Sequence, residues 1–183
     1  MADRSNHYEA AFEGFIRSMR LPCVAVDEAK RAISEEGGLK NPDFLLYPRG
    51  GPNLVVEVKG KRGKTIMGRR AWENWVTTDD LDGLARWQLM FGPGFRALLA
   101  FVYAESPPSF PLPPGDGAFP FRNRLYRFWG VELDDYVQHL RSRGPAWKAV
   151  AMARAEFRRR VRPLVEWLPD VAPTVVRKKV SSG

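Results

Sequence analysis

Residues 41–60 read Asn41-Pro-Asp43-Phe-Leu-Leu-Tyr47-Pro-Arg-Gly-Gly-Pro-Asn53-Leu-Val-Val-Glu57-Val-Lys59-Gly60. Two short apolar runs, Phe44 to Tyr47 and Leu54 to Lys59, flank Pro48 to Asn53, the pattern of a β-hairpin with a longer loop. Alternate side chains of a strand share a face, so Leu54, Val56 and Val58 point one way and Val55, Glu57 and Lys59 the other. The first face is wholly apolar and suits packing under a helix. The second ends in a carboxylate and an amine, expected at the strand's edge before Gly60, where α/β folds carry functional groups. Asp43 opens the preceding strand after Pro42, and a hairpin returning through residues 48–53 brings it near Glu57.

Two carboxylates meeting at strand ends repel unless a cation joins them. Oxygen ligands without thiolates or paired histidines favour Mg²⁺ or Mn²⁺ over zinc. Such an ion keeps several waters and takes phosphate oxygens as further ligands, which suits phosphodiester hydrolysis.

Pro42-Asp43 followed fourteen residues later by Glu57-Val58-Lys59 resembles the signature of the PD-(D/E)XK nuclease superfamily, in particular its Holliday junction resolvase-like branch. The resemblance implies that Asp43, Glu57 and the Val58 carbonyl bind the catalytic metal while Lys59 orients or activates the attacking water. Glu9, followed by Phe12 and Ile16, is similar to a first-helix Glu found in many members. It is implied as a further catalytic and metal-binding residue, with Glu13 one turn later as the alternative. Gln88 fits a Gln frequent on the helix after the Lys strand. A hydrogen bond from its amide to a strand end or loop explains it equally well. The resemblance covers roughly residues 7–104 and implies a Mg²⁺-dependent endonuclease, with DNA a better substrate than RNA. Resolvase-like relatives pair two sites, so a homodimer is one assembly it suggests.

Working outward, Tyr8, Ala11, Phe12, Phe15, Ile16 and Met19 recur at three- and four-residue steps and predict a helix over about 6–19. Leu21 to Val26 reads as extended, and Asp27 caps a brief second helix through Ile33 that Gly37 and Gly38 stop. Asp79 or Asp80 caps a helix over about 80–91, and Phe95 to Ala104 is a doubly covered central strand. The expected fold is thus α/β, a restriction-endonuclease-like αββαβ core with a mixed central sheet flanked by helices and additional C-terminal helices. A single domain over 1–183 comprises this core (7–104), a Pro-rich loop (105–121), a C-terminal strand and helical extension (122–170) and a basic tail (171–183). In the extension, Leu125 to Val131 reads as a strand, Glu132 to Arg143 as a helix, and Ala146 to Leu168 as a basic helical segment interrupted at Pro163.

The 183 residues carry a net charge of +8, which favours a polyanionic partner, nucleic acid first. Lys59 is followed by Lys61, Arg62, Lys64, Arg69 and Arg70, cations that a phosphate backbone crossing the site meets first, unless they form a solvated loop. Trp72 and Trp75 stack on bases or pack as core. Arg154, Arg158, Arg159, Arg160 and Arg162 form a second concentration. The one cysteine, Cys23, excludes an intrachain disulfide and fits a reducing compartment. The polar start, Met1 to His7, and apolar runs too short for a bilayer point to a cytoplasmic protein without membrane contact. His7 and His139 lack a nucleophile context, and Asp79-Asp80 and Asp134-Asp135 read as helix caps.

Overall fold

The computed structural model describes residues 6–26, 32–34, 37–62, 64–66, 69–71, 73–105, 118–142 and 148–169. The first helix, α1 (His7–Ser18), starts at Asn6, whose side-chain oxygen accepts the Tyr8 N–H, and buries Ala11, Phe12 and Ile16. β1 (Cys23–Ala25) follows. The short helix expected up to Ile33 is not formed at its described end. Ala32–Ser34 is a strand, β2, paired antiparallel with β3 (Gly37–Leu39), while residues 27–31 lie outside the described residues. Gly37 and Gly38, read as a helix stop, lie within the returning strand.

The hairpin appears as read. β4 (Phe44–Leu46) pairs antiparallel with β5 (Asn53–Arg62), Phe44 opposite Val56 and Leu46 opposite Leu54. β5 differs from expectation at its far end, since it runs through Gly60 to Arg62, paired in parallel with β9 (Phe95–Glu105) all the way. Gly60 is therefore no strand terminator. A Cβ there would lie 2.2 Å from the Tyr8 ring, so glycine lets α1 close on the sheet. What ends near Glu57 is β4, whose ladder stops at Phe44.

Beyond β5 come β6 (Lys64–Ile66), paired with β7 (Arg69–Ala71), then β8 (Val76–Thr77) and α2 (Thr78–Phe91). Thr77, not Asp79 or Asp80, is the N-cap. Its hydroxyl accepts the Asp80 N–H at 3.2 Å while the Asp80 carboxylate accepts the Thr77 N–H at 2.9 Å, a reciprocal capping box. α2 is the crossover that makes β5 and β9 parallel neighbours.

The main sheet has the order β1-β4-β5-β9-β11-β10, where β10 is Phe119–Phe121 and β11 is Arg124–Glu132. Its two faces carry separate cores. Leu54, Val56, Val58, Leu98, Ala100 and Val102 pack against Phe12 and Ile16 of α1. Val55, Ala97, Leu99 and Phe101 pack against Leu81 and Leu84 of α2. β9 is thus covered on both sides, as its unbroken apolar run requires.

The C-terminal part departs most from expectation. The Pro-rich loop was expected through residue 121, yet Phe119–Phe121 is a strand; residues 106–117 lie outside the described residues. The helix expected over Glu132 to Arg143 is one short turn, α3 (Leu133–Val137), followed by β12 (Leu140–Ser142). Within the expected basic helical segment, Ala149–Met152 forms β13, which pairs with β12 and β8. Among the described residues there, only α4 (Arg154–Arg160) is α-helical. Pro163 does not kink a helix but sits in β14 (Arg162–Pro163), opposite Trp129 on β11, before a 3-10 turn at Leu164–Trp167. Local helix propensity loses to tertiary pairing in each case. Val150 and Met152 add to the core under α2, and Gly130 leaves room for the Trp167 indole, whose nitrogen would lie 2.7 Å from a Cβ there. Among the described residues no helix is long and apolar enough to cross a membrane.

Candidate active site

Strand parity puts Val55, Glu57 and Lys59 on the α2 face, and the N-terminal turn of α2 lies over them. Glu57 is 3 % exposed and its carboxylate meets the Lys59 ammonium at 2.8 Å and that of Lys40 at 2.5 Å. Asp80, from the first turn of α2, closes the square, meeting Lys59 at 2.7 Å and also pairing with Lys40. Two buried carboxylates and two ammonium groups therefore alternate in one network, with formal charges that cancel.

The energetics follow from that alternation. Burial raises the Glu57 carboxyl above its ordinary value, opposed by Lys59 and Lys40. Burial acts the same way on Asp80, yet Lys59, the hydrogen bonds from both lysines and the Thr77 N–H outweigh it and hold this carboxyl well below the usual range. Lys40 behaves as the mirror image. Partial burial favours its neutral form, and Glu57 and Asp80 overcome that and push the ammonium above its ordinary value.

Asp43 is 2 % exposed and lies one position beyond the last β4–β5 pair, across from Glu57 in register. Its backbone N–H donates to the Val56 carbonyl, and one carboxylate oxygen accepts the Val58 N–H at 2.6 Å. A side chain thus takes over a ladder bond where β4 ends, which fixes the carboxylate against the backbone between Glu57 and Lys59. At Val58 the contact made is through its N–H; the expectation concerned its carbonyl.

Two other expected residues have contacts of their own. Glu9 is buried on α1, the helix on the opposite face of the sheet, and accepts a hydrogen bond from the Asn6 amide. Its alternative, Glu13, pairs with Arg17 one turn on, at 2.7 Å. Gln88 sits eight residues beyond Asp80, about 12 Å along the helix axis, and its amide oxygen accepts the Ala97 N–H at the start of β9. That is the strand-end hydrogen bond weighed as the alternative to a site role.

The basic run divides. Lys61 is 4 % exposed, with its ammonium donating to the Trp75 carbonyl at 2.8 Å and lying 3.3 Å from the Trp75 ring centroid. Expected on the nucleic-acid surface, Lys61 instead points inward, because position 61 has the parity of Lys59 and meets the segment leading into α2. Arg62 is exposed at the strand end. Lys64, Arg69 and Arg70 belong to β6 and β7, of which only the backbone is described, and Trp72 lies outside the described residues.

Lys40 and Asp80 were missed in the sequence. Asp80 was read as a helix cap, and it is one; its second role needs the fold, because only the α2 crossover sets it over β5. Lys40 stood three residues before Asp43, a position that could have suggested it.

No protein-family model and no curated protein matches this chain. Among solved structures, the Archaeoglobus fulgidus Hjc, a Holliday junction resolvase from an archaeal hyperthermophile, superimposes with a TM-score of 0.52 at 14 % identity, over 88 % of this chain and 98 % of that one. The chain has the fold of that resolvase. The match spans nearly the whole of the resolvase-like chain and agrees with a mixed α/β sheet of restriction-endonuclease type, flanked by helices.

As to a metal, the donor chemistry fits a hard dication. Asp43 and Glu57 offer oxygen only, from adjacent strands, and Mg²⁺ is commonly held by one or two carboxylates with substrate phosphates and water completing its shell. Among the described residues no group of three or more His, Cys, Asp or Glu is set to hold an ion.

Proposed function

We propose that this protein is a Mg²⁺-dependent nuclease, acting on DNA rather than RNA, with Asp43, Glu57 and Lys59 as its catalytic residues. The observation that carries the reading is the buried Glu57–Lys59 pair with Asp43 fixed across from it on the Val58 amide. The resolvase-like fold supports it.

Asp43 and Glu57 would hold the ion, which when bound supplies Lewis-acid polarisation of the phosphate and a more acidic water. Lys59 keeps its ammonium beside Glu57 and would orient the attacking water and offset charge at the phosphorus. Lys40 shares Glu57 with Lys59 and would release it when the dication arrives, keeping Asp80 as its partner. Cleavage would leave a 3′-hydroxyl and a 5′-phosphate.

The test is a panel of labelled single-stranded, duplex and four-way branched DNA and the matching RNA, incubated with Mg²⁺, Mn²⁺ or EDTA. Divalent-dependent cleavage that Asp43→Ala and Lys59→Ala both abolish is the expected result. A second reading, a non-catalytic nucleic-acid-binding module on the same fold, is favoured by one observation: Glu57 and Asp80 are already neutralised by two lysines. Binding without turnover in either metal would establish that reading instead.

A further inference from the structure

Five described arginines are paired with carboxylates: Arg17 with Glu13, Arg96 with Glu132, Arg127 with Glu105, Arg159 with Glu156, and Arg160 with Asp135. Of the exposed arginines without a carboxylate partner among the described residues, Arg62, Arg122 and Arg124 stand as a group. They come from two separate strands and the turn between β10 and β11, yet converge on one end of the sheet. In register, Arg62 lies beside Ala104, and Ala104 lies beside Tyr126, two residues from Arg124.

Aromatic rings fill the space between them. His7 and Tyr8 stand with ring centroids 4.0 Å apart, His7 Nδ1 lies 2.9 Å from the Tyr126 hydroxyl, and Tyr8 meets Tyr126 edge to face at 6.3 Å. Arg124 reaches within 3.4 Å of His7 Nε2, and Arg122 lies 5.2 Å from the Phe121 ring centroid. Burial, then Arg124 and Arg62, lower the basicity of His7. Among the described residues, Glu73 is a carboxylate whose field reaches Tyr8, Glu105 is engaged by Arg127, and Glu9 takes the Asn6 amide.

The backbone adds a second observation. Phe121 and Arg124 pair across a two-residue turn in which Arg122 (φ 43°) and Asn123 (φ 60°) are both left-handed. Turns of this kind favour Asn, Asp and Gly; an arginine at the first position is held against its own preference. Strain retained at an exposed basic tip calls for a use.

We propose that Arg62, Arg122 and Arg124, with the rings of His7 and Tyr8, form a clamp for the phosphate backbone of a nucleic-acid strand, with an unpaired base resting on the aromatic pair. The combination of unpaired guanidinium groups and half-exposed rings is what a flexible strand needs. Arg62 stands three residues beyond Lys59 on β5, about 10 Å further along the strand and on the other face. The clamp therefore grips a segment flanking the position where cleavage is proposed, at the sheet end shared by β5 and β9. This rests on the nucleic-acid reading of the function but not on turnover.

The experiment measures fluorescence anisotropy of labelled single-stranded and four-way branched DNA in EDTA across a salt series, for the full chain and for the double variant Arg122→Asn, Arg124→Gln. Asn suits the left-handed position, so the variant should melt at or above the wild-type temperature while binding at least tenfold more weakly. Removing two phosphate contacts should also flatten the log–log salt dependence by about 1.4 on single strands. An unchanged affinity and slope, or no binding by the wild-type chain, overturns the clamp. Cleavage is read in parallel: binding that falls as expected in a chain that never cuts leaves the clamp standing and removes the nuclease, whereas cutting with an unchanged KM in the double variant does the reverse.

Discussion

Substituting Asp80 with Asn keeps the shape of the side chain and its ability to accept the Thr77 N–H, and removes one charge from a network of four. Asp80 is 4 % exposed and meets Lys59 at 2.7 Å. At an effective dielectric near 20 that contact amounts to about 6 kcal/mol of Coulomb energy. Much of it is offset, because Lys59 retains Glu57 at 2.8 Å and the Lys40 side chain is 38 % exposed and can turn to water. Breaking a buried pair by removing one partner typically costs about 3–5 kcal/mol, so Asp80→Asn should fall at the lower end, about 3 kcal/mol. For a chain of this size that corresponds to a fall in Tm of roughly 6–12 °C. Urea unfolding followed by tryptophan fluorescence measures the loss directly, with Asp79→Asn, exposed on the same turn, as the control. A loss below about 1 kcal/mol, no greater than that of a solvent-screened surface pair, would refute the picture of a buried charge square.

The same carboxyl sets an acid dependence. Its folded value lies below its ordinary value of 3.8, so the unfolded chain takes up the proton first and the stabilisation is complete above about pH 4. It is lost as pH falls below that, and the wild-type and Asp80→Asn unfolding curves should converge there. If Gln88 serves β9 rather than the reaction, Gln88→Leu leaves the Ala97 N–H unpaired and costs about 1–3 kcal/mol in urea unfolding, with the single-turnover cleavage rate unchanged. A lost rate at full stability would return Gln88 to the site. Lys61→Met should weaken DNA affinity in anisotropy titrations by less than twofold while lowering stability, because its ammonium serves the Trp75 carbonyl; a tenfold loss of affinity would contradict its inward orientation.

The core of the fold was legible because its signals are local or strictly periodic. The three- and four-residue stripe from Tyr8 to Met19, the alternation from Leu54 to Lys59 and the unbroken run from Phe95 each depend on one element meeting one or two apolar faces. Glu57 and Lys59 could be placed side by side for the same reason, and Asp43 across from them once the hairpin was granted. Asp80 could not, since it joins the pair only through a crossover helix whose docking no short pattern encodes, and Lys40 offered only its nearness to Asp43 in the chain. The C-terminal part failed for a related cause. Ala149 to Met152 and Arg162-Pro163 are strands because β12, β8 and β11 offer them open hydrogen-bonding edges, and such edges are properties of the assembled sheet. Lys61 shows the limit of reading charge: a run of cations looks like a surface until strand parity turns one of them inward.

The outer side of β11 is shared by β10 along Arg124 to Tyr126 and by β14 at Trp129 and Gly130. Each of these short strands holds a proline, Pro120 and Pro163, which has no amide hydrogen to offer an incoming chain. Copies of this chain that meet at high concentration find little to zip onto along a sheet margin built this way. Resistance to edge-to-edge pairing is thus built into the rim itself.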